Sequence, residues 1–172
     1  MPEAQPAKLT VKSKTFEHNA TMPRSTVFDG FGAGGENRSP HLSWSGAPPG
    51  TKSYAIILHD PDAPTGTGFF HWVVFNVPGD VTELEENAGV KGGGRLPKGA
   101  KHGHTDFGAA HYGGPAPPPG HGPHHYNVHV YALDVPTLEA GEASTAALLR
   151  FMMRGHIVAE GMLTGMYEQT AQ

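Results

Sequence analysis

The chain has 172 residues, a length that suits one domain with a sizeable core. Its formal net charge is −4, with no basic stripe or polybasic cluster, so nothing points to nucleic acid or an anionic membrane surface. There is no cysteine, which excludes a disulfide framework, an iron–sulfur cluster and a thiol nucleophile.

The 24 glycines and 16 prolines are about twice ordinary usage. Apolar runs separate them, so many turns joining short strands are expected, not disorder. Residues 1–7 read as a flexible tail and 8–172 as a single domain. Met1 to Lys8 lacks the apolar stretch of a signal peptide, and no run approaches the ~20 apolar residues of a membrane-spanning helix. A cytoplasmic location is the resulting expectation.

Lys8 to Lys14 alternates as a half-exposed strand, with Leu9 and Val11 on its inner face. Gly30, Gly32 and Gly35 have the G-x-G-x-x-G spacing. No suitable strand precedes them and no helix follows, so they read as a glycine-rich turn. Ser39 to Trp44 is a short strand. Tyr54 to Leu58 is an apolar run of strand length, closed by Asp60-Pro61-Asp62-Ala63-Pro64. A residue before proline stays extended, and Pro61 has no N–H for a ladder. The strand should therefore stop with the Asp60 carboxylate at its mouth; the plainer alternative is a solvated turn.

Phe69 to Val77 is the most strand-like run, apolar on both faces. Alternation places His71 with Val73 and Phe75. Antiparallel pairing with the 53–60 strand would bring Asp60 and His71 to one end of the sheet. Residues 102–122 form a long loop with no hydrophobic period, a pattern that is functional or disordered. In the strand from His124 to Leu133, His124 and Tyr126 share a face, while His125, Asn127 and His129 share the wetter one. Ser144 can cap a helix to about Met153 with Leu148, Phe151 and Met152 on one face, and Ile157 to Tyr167 alternates loosely as a last strand.

A carboxylate, two imidazoles and a phenol at one strand end suit a small anion, because imidazolium and phenol donate hydrogen bonds. On that reading the anion binds more tightly at mildly acidic pH, where histidines become charged. The alternative is that each histidine is a satisfied core or turn residue. Twelve histidines raise the question of a metal, but neither H-E-x-x-H nor a cysteine pair occurs, so no metal and no cofactor are expected. Asp106-Phe107-Gly108 reads as a turn, and the absence of G-x-S-x-G leaves a serine hydrolase without support.

Taken together, Asp60-Pro61-Asp62-Ala63-Pro64, His71-Trp72-Val73-Val74-Phe75-Asn76, Tyr112 to Gly120 and His124-His125-Tyr126 resemble the phosphatidylethanolamine-binding protein (PEBP) family, which includes the Raf kinase inhibitor proteins. Ser39-Pro40-His41-Leu42-Ser43-Trp44 and Thr105-Asp106-Phe107-Gly108 look like its bacterial and archaeal branch. The resemblance implies a mainly β fold, a sandwich of two antiparallel sheets with a few short helices. It also implies a small site for phosphate or a phosphoethanolamine-like group. Carried over residue by residue, that site is Asp60, Pro61, His71, His124 and Tyr126, with Ala116 standing where the family has glycine or cysteine. The family's H-R-Y is His124-His125-Tyr126 here. The expected function is a non-enzymatic binding protein for a small phosphorylated or carboxylated ligand. The alternatives are a surface inhibitor of a protease or kinase, and a small ester or phosphoester hydrolase using Asp60, His71 and His124. A protein partner and a homodimer are left open.

Overall fold

The apolar runs at 54–58, 69–77 and 124–133 become neighbouring strands of one sheet. The computed structural model describes residues 5–170. The large sheet contains β1 (Ala7–Lys8), β4 (Ser53–Asp60), β5 (Phe69–Pro78), β7 (Lys101–His102), β8 (His124–Leu133) and β9 (Ile157–Tyr167), in the order β1-β9-β8-β4-β5-β7. A small antiparallel sheet joins β2 (Thr10–Lys12), β3 (Leu42–Ser45) and β6 (Glu83–Leu84). Part of the expected 1–7 tail lies outside the described residues; its last residue, Ala7, opens β1.

The expectation of two antiparallel sheets needs one correction. Ala7 and Lys8 pair parallel with Ala159 and Glu160, so the large sheet is mixed. The chain runs along the edge of β9 and then crosses at Leu9 to the small sheet. There the Leu9 carbonyl approaches Gly161 so closely that a Cβ on residue 161 would stand 2.4 Å from it. The single strand read from Lys8 to Lys14 is thus two strands in two sheets, with Leu9 and Val11 buried between them.

The large sheet is covered on both faces, which explains its two-sided apolar strands. Tyr54, Ile56, Leu58, Trp72, Val74 and Val128 pack against Leu42 and Trp44 of the small sheet. Ala55, Ile57, Val73, Phe75 and Leu133 face the opposite way, onto Leu149 and Met153 of α1 (Ala146–Met153). Two details of α1 differ from expectation. Its N-cap is Thr145, whose hydroxyl accepts the Leu148 N–H at 3.2 Å, while Ser144 accepts from Gly141 N–H. The buried stripe is Ala146, Leu149 and Met153; Leu148 and Phe151 are exposed. The helix is apolar on more than one side, so period alone does not choose its inner face.

Candidate functional site

β4 ends at Asp60, β8 begins at His124, and β5 runs antiparallel to β4 from Phe69. These strand ends meet at one mouth of the sandwich. A cavity of about 170 Å³ opens there, and Asp60, His71, Ala116, His124 and Tyr126 all line it. Pro61 does not: it is exposed in the turn after Asp60, where it ends the strand. Apart from Thr65 the rest of the wall is apolar, with Phe31, Phe69 and Phe107 in it, and no lysine or arginine lines the cavity among the described residues.

His71 reaches the cavity by a route that alternation does not predict. Asp60 faces Phe69, His59 faces Phe70, and Leu58 faces Trp72. His71 is therefore the extra residue of a β-bulge. Val73 and Phe75, its expected face partners, lie on the α1 side of the sheet. Through the bulge the His71 ring turns to the other side and meets Tyr126 edge-on, with ring centroids 5.3 Å apart.

The buried polar groups are tightly bonded, with one exception. Asp60 Oδ2 accepts from His124 Nδ1 at 2.6 Å, and Asp60 Oδ1 accepts the Asp62 N–H at 2.8 Å. His71 Nδ1–H donates to the Gly113 carbonyl at 2.8 Å. Burial pushes the His71 imidazole down to about 4, outweighing its carbonyl bond and the nearby Asp60 charge. His71 is thus neutral near pH 7, with its lone pair on Nε2. In the ligand-free protein His71 is uncharged, and the expected mild-acid mechanism requires the arriving anion to raise its pKa. The Tyr126 hydroxyl is the exception: it is buried and makes no hydrogen bond of good geometry among the described residues, with the Asp60 carboxylate as its nearby polar neighbour. Burial first, and then the Asp60 charge, hold its phenol well above the ordinary value.

His125 points away from the cavity, as the alternation of β8 requires. Its ring and its backbone N–H both bond Asp62 Oδ2 at 2.7 Å. Those bonds outweigh partial burial and hold the Asp62 carboxyl below its ordinary value.

The 102–122 stretch is an ordered wall. Tyr112 is buried, and its hydroxyl donates to the Thr26 carbonyl at 2.7 Å. Gly113 N–H donates to the His71 carbonyl, and Gly114 N–H to Asn37 Oδ1. A Cβ on residue 114 would fall 1.9 Å from the Thr26 carbonyl oxygen, so only glycine fits there. Two contributors were not singled out from sequence. Phe107, read as part of a turn, stacks on Phe28 at 4.4 Å and meets His71 at 5.4 Å. His121 bonds His124 at 2.6 Å. The available signals were an aromatic residue inside a turn motif and a second histidine three residues before the first.

A family model described as phosphatidylethanolamine-binding protein matches residues 12–168. The chain belongs to the phosphatidylethanolamine-binding protein family. It is 44% identical over 165 residues to the UPF0098 protein YbcL of Escherichia coli, covering 96% of this chain and 90% of that one. A UPF0098 protein of Methanothermobacter thermautotrophicus is 42% identical over 162 residues, covering 94% and 99%. The crystal structure of E. coli YbcL, described as a member of the mammalian PEBP family, superposes with a TM-score of 0.91 and covers 94% of this chain and 99% of that one. Membership supports a binding-protein fold, and no helix among the described residues is long and apolar enough to cross a membrane.

Proposed function

We propose that the cavity binds a small oxyanion, phosphate or a phosphorylated or carboxylated group, and that the protein is a binding protein, not an enzyme. The observation that carries this reading is the Tyr126 hydroxyl, a buried donor without a partner in the same cavity as Asp60, His71 and His124. Buried polar groups are nearly always paired, and an incoming oxyanion oxygen would pair this one. The family takes its name from a phospholipid whose headgroup carries a phosphodiester, which is in line with such a ligand.

Charge narrows the ligand further. Asp60 repels an anion, and no lysine or arginine lines the cavity among the described residues. An oxyanion that keeps one proton resolves the conflict. Its O–H donates to Asp60 or to His71 Nε2, and an unprotonated oxygen accepts from Tyr126. The complex then holds more protons than the separate fully ionised partners, so affinity rises as pH falls.

Hydrolysis has less support. Thr65 lines the cavity, but its hydroxyl donates to the Gly68 carbonyl and is not paired with an imidazole. Thr65 is therefore not part of a nucleophile–base pair among the described residues. Calorimetric titration with phosphate tests the reading. Binding should be lost in a His71→Ala, His124→Ala double variant and kept in His125→Ala, with no turnover of simple phosphoesters. Equal binding by the double variant would remove the site; a phosphatase signal abolished by His71→Ala would make the protein an enzyme.

A further inference from the structure

The short contact between His121 and His124 has a consequence for the buried Asp60–His124 pair. A carboxylate oxygen only accepts, so the proton facing Asp60 Oδ2 sits on His124 Nδ1. At the far side of the ring, His124 Nε2 lies 2.6 Å from His121 Nδ1. Two nitrogens at that distance share one proton: one donates and the other accepts. His124 is buried, at 2% exposure, whereas His121 is exposed. The turn that holds His121 is pinned: Gly120 N–H donates to the Gln169 carbonyl, and Gln169 Nε2 donates to the Pro117 carbonyl at 2.7 Å.

We propose that His121 is a positioning residue that passes a proton between solvent and His124, so that the buried pair gains or loses one proton while its heavy atoms stay in place. The steps balance. In the resting state His121 Nδ1–H donates to the bare Nε2 of His124. A solvent proton adds to the exposed Nε2 of His121, and the shared proton shifts across to His124 Nε2. His124 is then the imidazolium, paired with the Asp60 carboxylate, and His121 is neutral again with its proton on Nε2. The reverse sequence returns the proton to solvent.

The consequence rests on the oxyanion reading. With His124 neutral, the site carries the Asp60 charge; after proton uptake the pair is neutral overall and no longer repels an anion. The other groups facing His124 are Tyr126 beside it on β8, Tyr167 opposite it on β9, His71 on β5, and Asp62 in the turn after β4. His71 in turn lies near Asp106. None of these is the exposed ring in direct contact with His124; that ring is His121.

Two variants separate proton passage from a purely structural role. His121→Asn can keep a hydrogen bond to His124 but cannot relay a proton; His121→Ala removes both. Phosphate binding is measured calorimetrically between pH 6 and 8. Phosphate's own ionisation enters every protein equally, so differences between proteins report the chain. Equilibrium affinity does not depend on the proton's route, so the wild type and His121→Asn should gain affinity with the same slope as pH falls, and the difference between them should appear in the rate of proton exchange at His124. Free imidazole should restore the rate of proton exchange at His124 to His121→Ala. Without ligand, NMR should show a 15N–15N coupling between His121 and His124, and slower proton exchange at the His124 ring in His121→Asn. A wild-type rate of proton exchange at the His124 ring in His121→Asn, or no coupling between the two rings, overturns the proposal. If phosphate fails to bind the wild type while the coupling and the exchange difference are present, the oxyanion reading falls and the proton path stands.

Discussion

Replacing Tyr126 by phenylalanine should move fold stability and ligand affinity in opposite directions. The ring is fully buried and meets His71 edge-on at 5.3 Å; phenylalanine keeps that packing. What is lost is a hydroxyl with no partner. A buried, unsatisfied polar group costs about 1–3 kcal/mol, so its removal should stabilise the ligand-free protein by about 1 kcal/mol or more. For a domain of this size 1 kcal/mol corresponds to a rise in Tm of roughly 2–4 °C. In the proposed complex the same hydroxyl would donate to a charged oxygen, a bond worth about 1.5–3 kcal/mol. Phosphate affinity should then fall roughly 10- to 150-fold. Thermal unfolding without phosphate and calorimetric titration with it give the two numbers on the same samples. A lower Tm together with unchanged phosphate affinity would mean that the hydroxyl is already satisfied inside the protein, and the reasoning from Tyr126 to a ligand would fail.

Stability should also depend on pH through the buried His71 and His102 and the half-buried His129. Burial pushes His71, His102 and His129 each down to about 4. Between that value and the ordinary histidine value of about 6.5, the unfolded chain binds more protons, so unfolding free energy falls as pH drops through this window. For His71 the loss at pH 5 is about 2 kcal/mol relative to neutral pH. Urea unfolding at pH 7 and pH 5 should show a smaller difference in His71→Gln by about that amount; an unchanged difference would mean that His71 is not buried as a neutral ring. The face of α1 is open to a paired test. Leu149→Ala should cost about 2–5 kcal/mol, and Phe151→Ser should lie within about 0.5 kcal/mol of wild type. The reverse ranking in urea unfolding would restore the face read from sequence.

The strands were legible where burial and period agreed. Tyr54 to Leu58 and Phe69 to Val77 lie between the small sheet and α1, so both of their faces had to be apolar. β8 needed only one covered face near its start, and its alternation placed His125 outside without further information. α1 was harder to read. Its sequence carries two apolar stripes, and the choice between them belongs to the sheet it packs on, through Ala55, Ile57, Val73 and Phe75. Nor does the break at Leu9 show in the alternation of Lys8 to Lys14. Moving from one sheet to the other preserves which residues are buried while changing which strand they pair with.

The site shows why residue types are easier to read than their positions. Asp60 before Pro61 and the pairing of β4 with β5 bring Asp60 and His71 to one end, but strict alternation turns His71 toward α1. A single extra residue between the Leu58–Trp72 and His59–Phe70 pairs reverses that direction. Such a bulge has no side-chain signature in β5, because a register shift is a property of two strands and not of one. The same holds for the wall. Tyr112, Gly113 and Gly114 look like loop residues until Thr26, Asn37 and His71 supply their partners from distant parts of the chain. Local pattern therefore offers the acid, the imidazoles and the phenol as candidates. The geometry that makes them one cavity arises from contacts between elements, and the polar atom that those contacts leave unpaired, the Tyr126 hydroxyl, is where a ligand has the most to contribute.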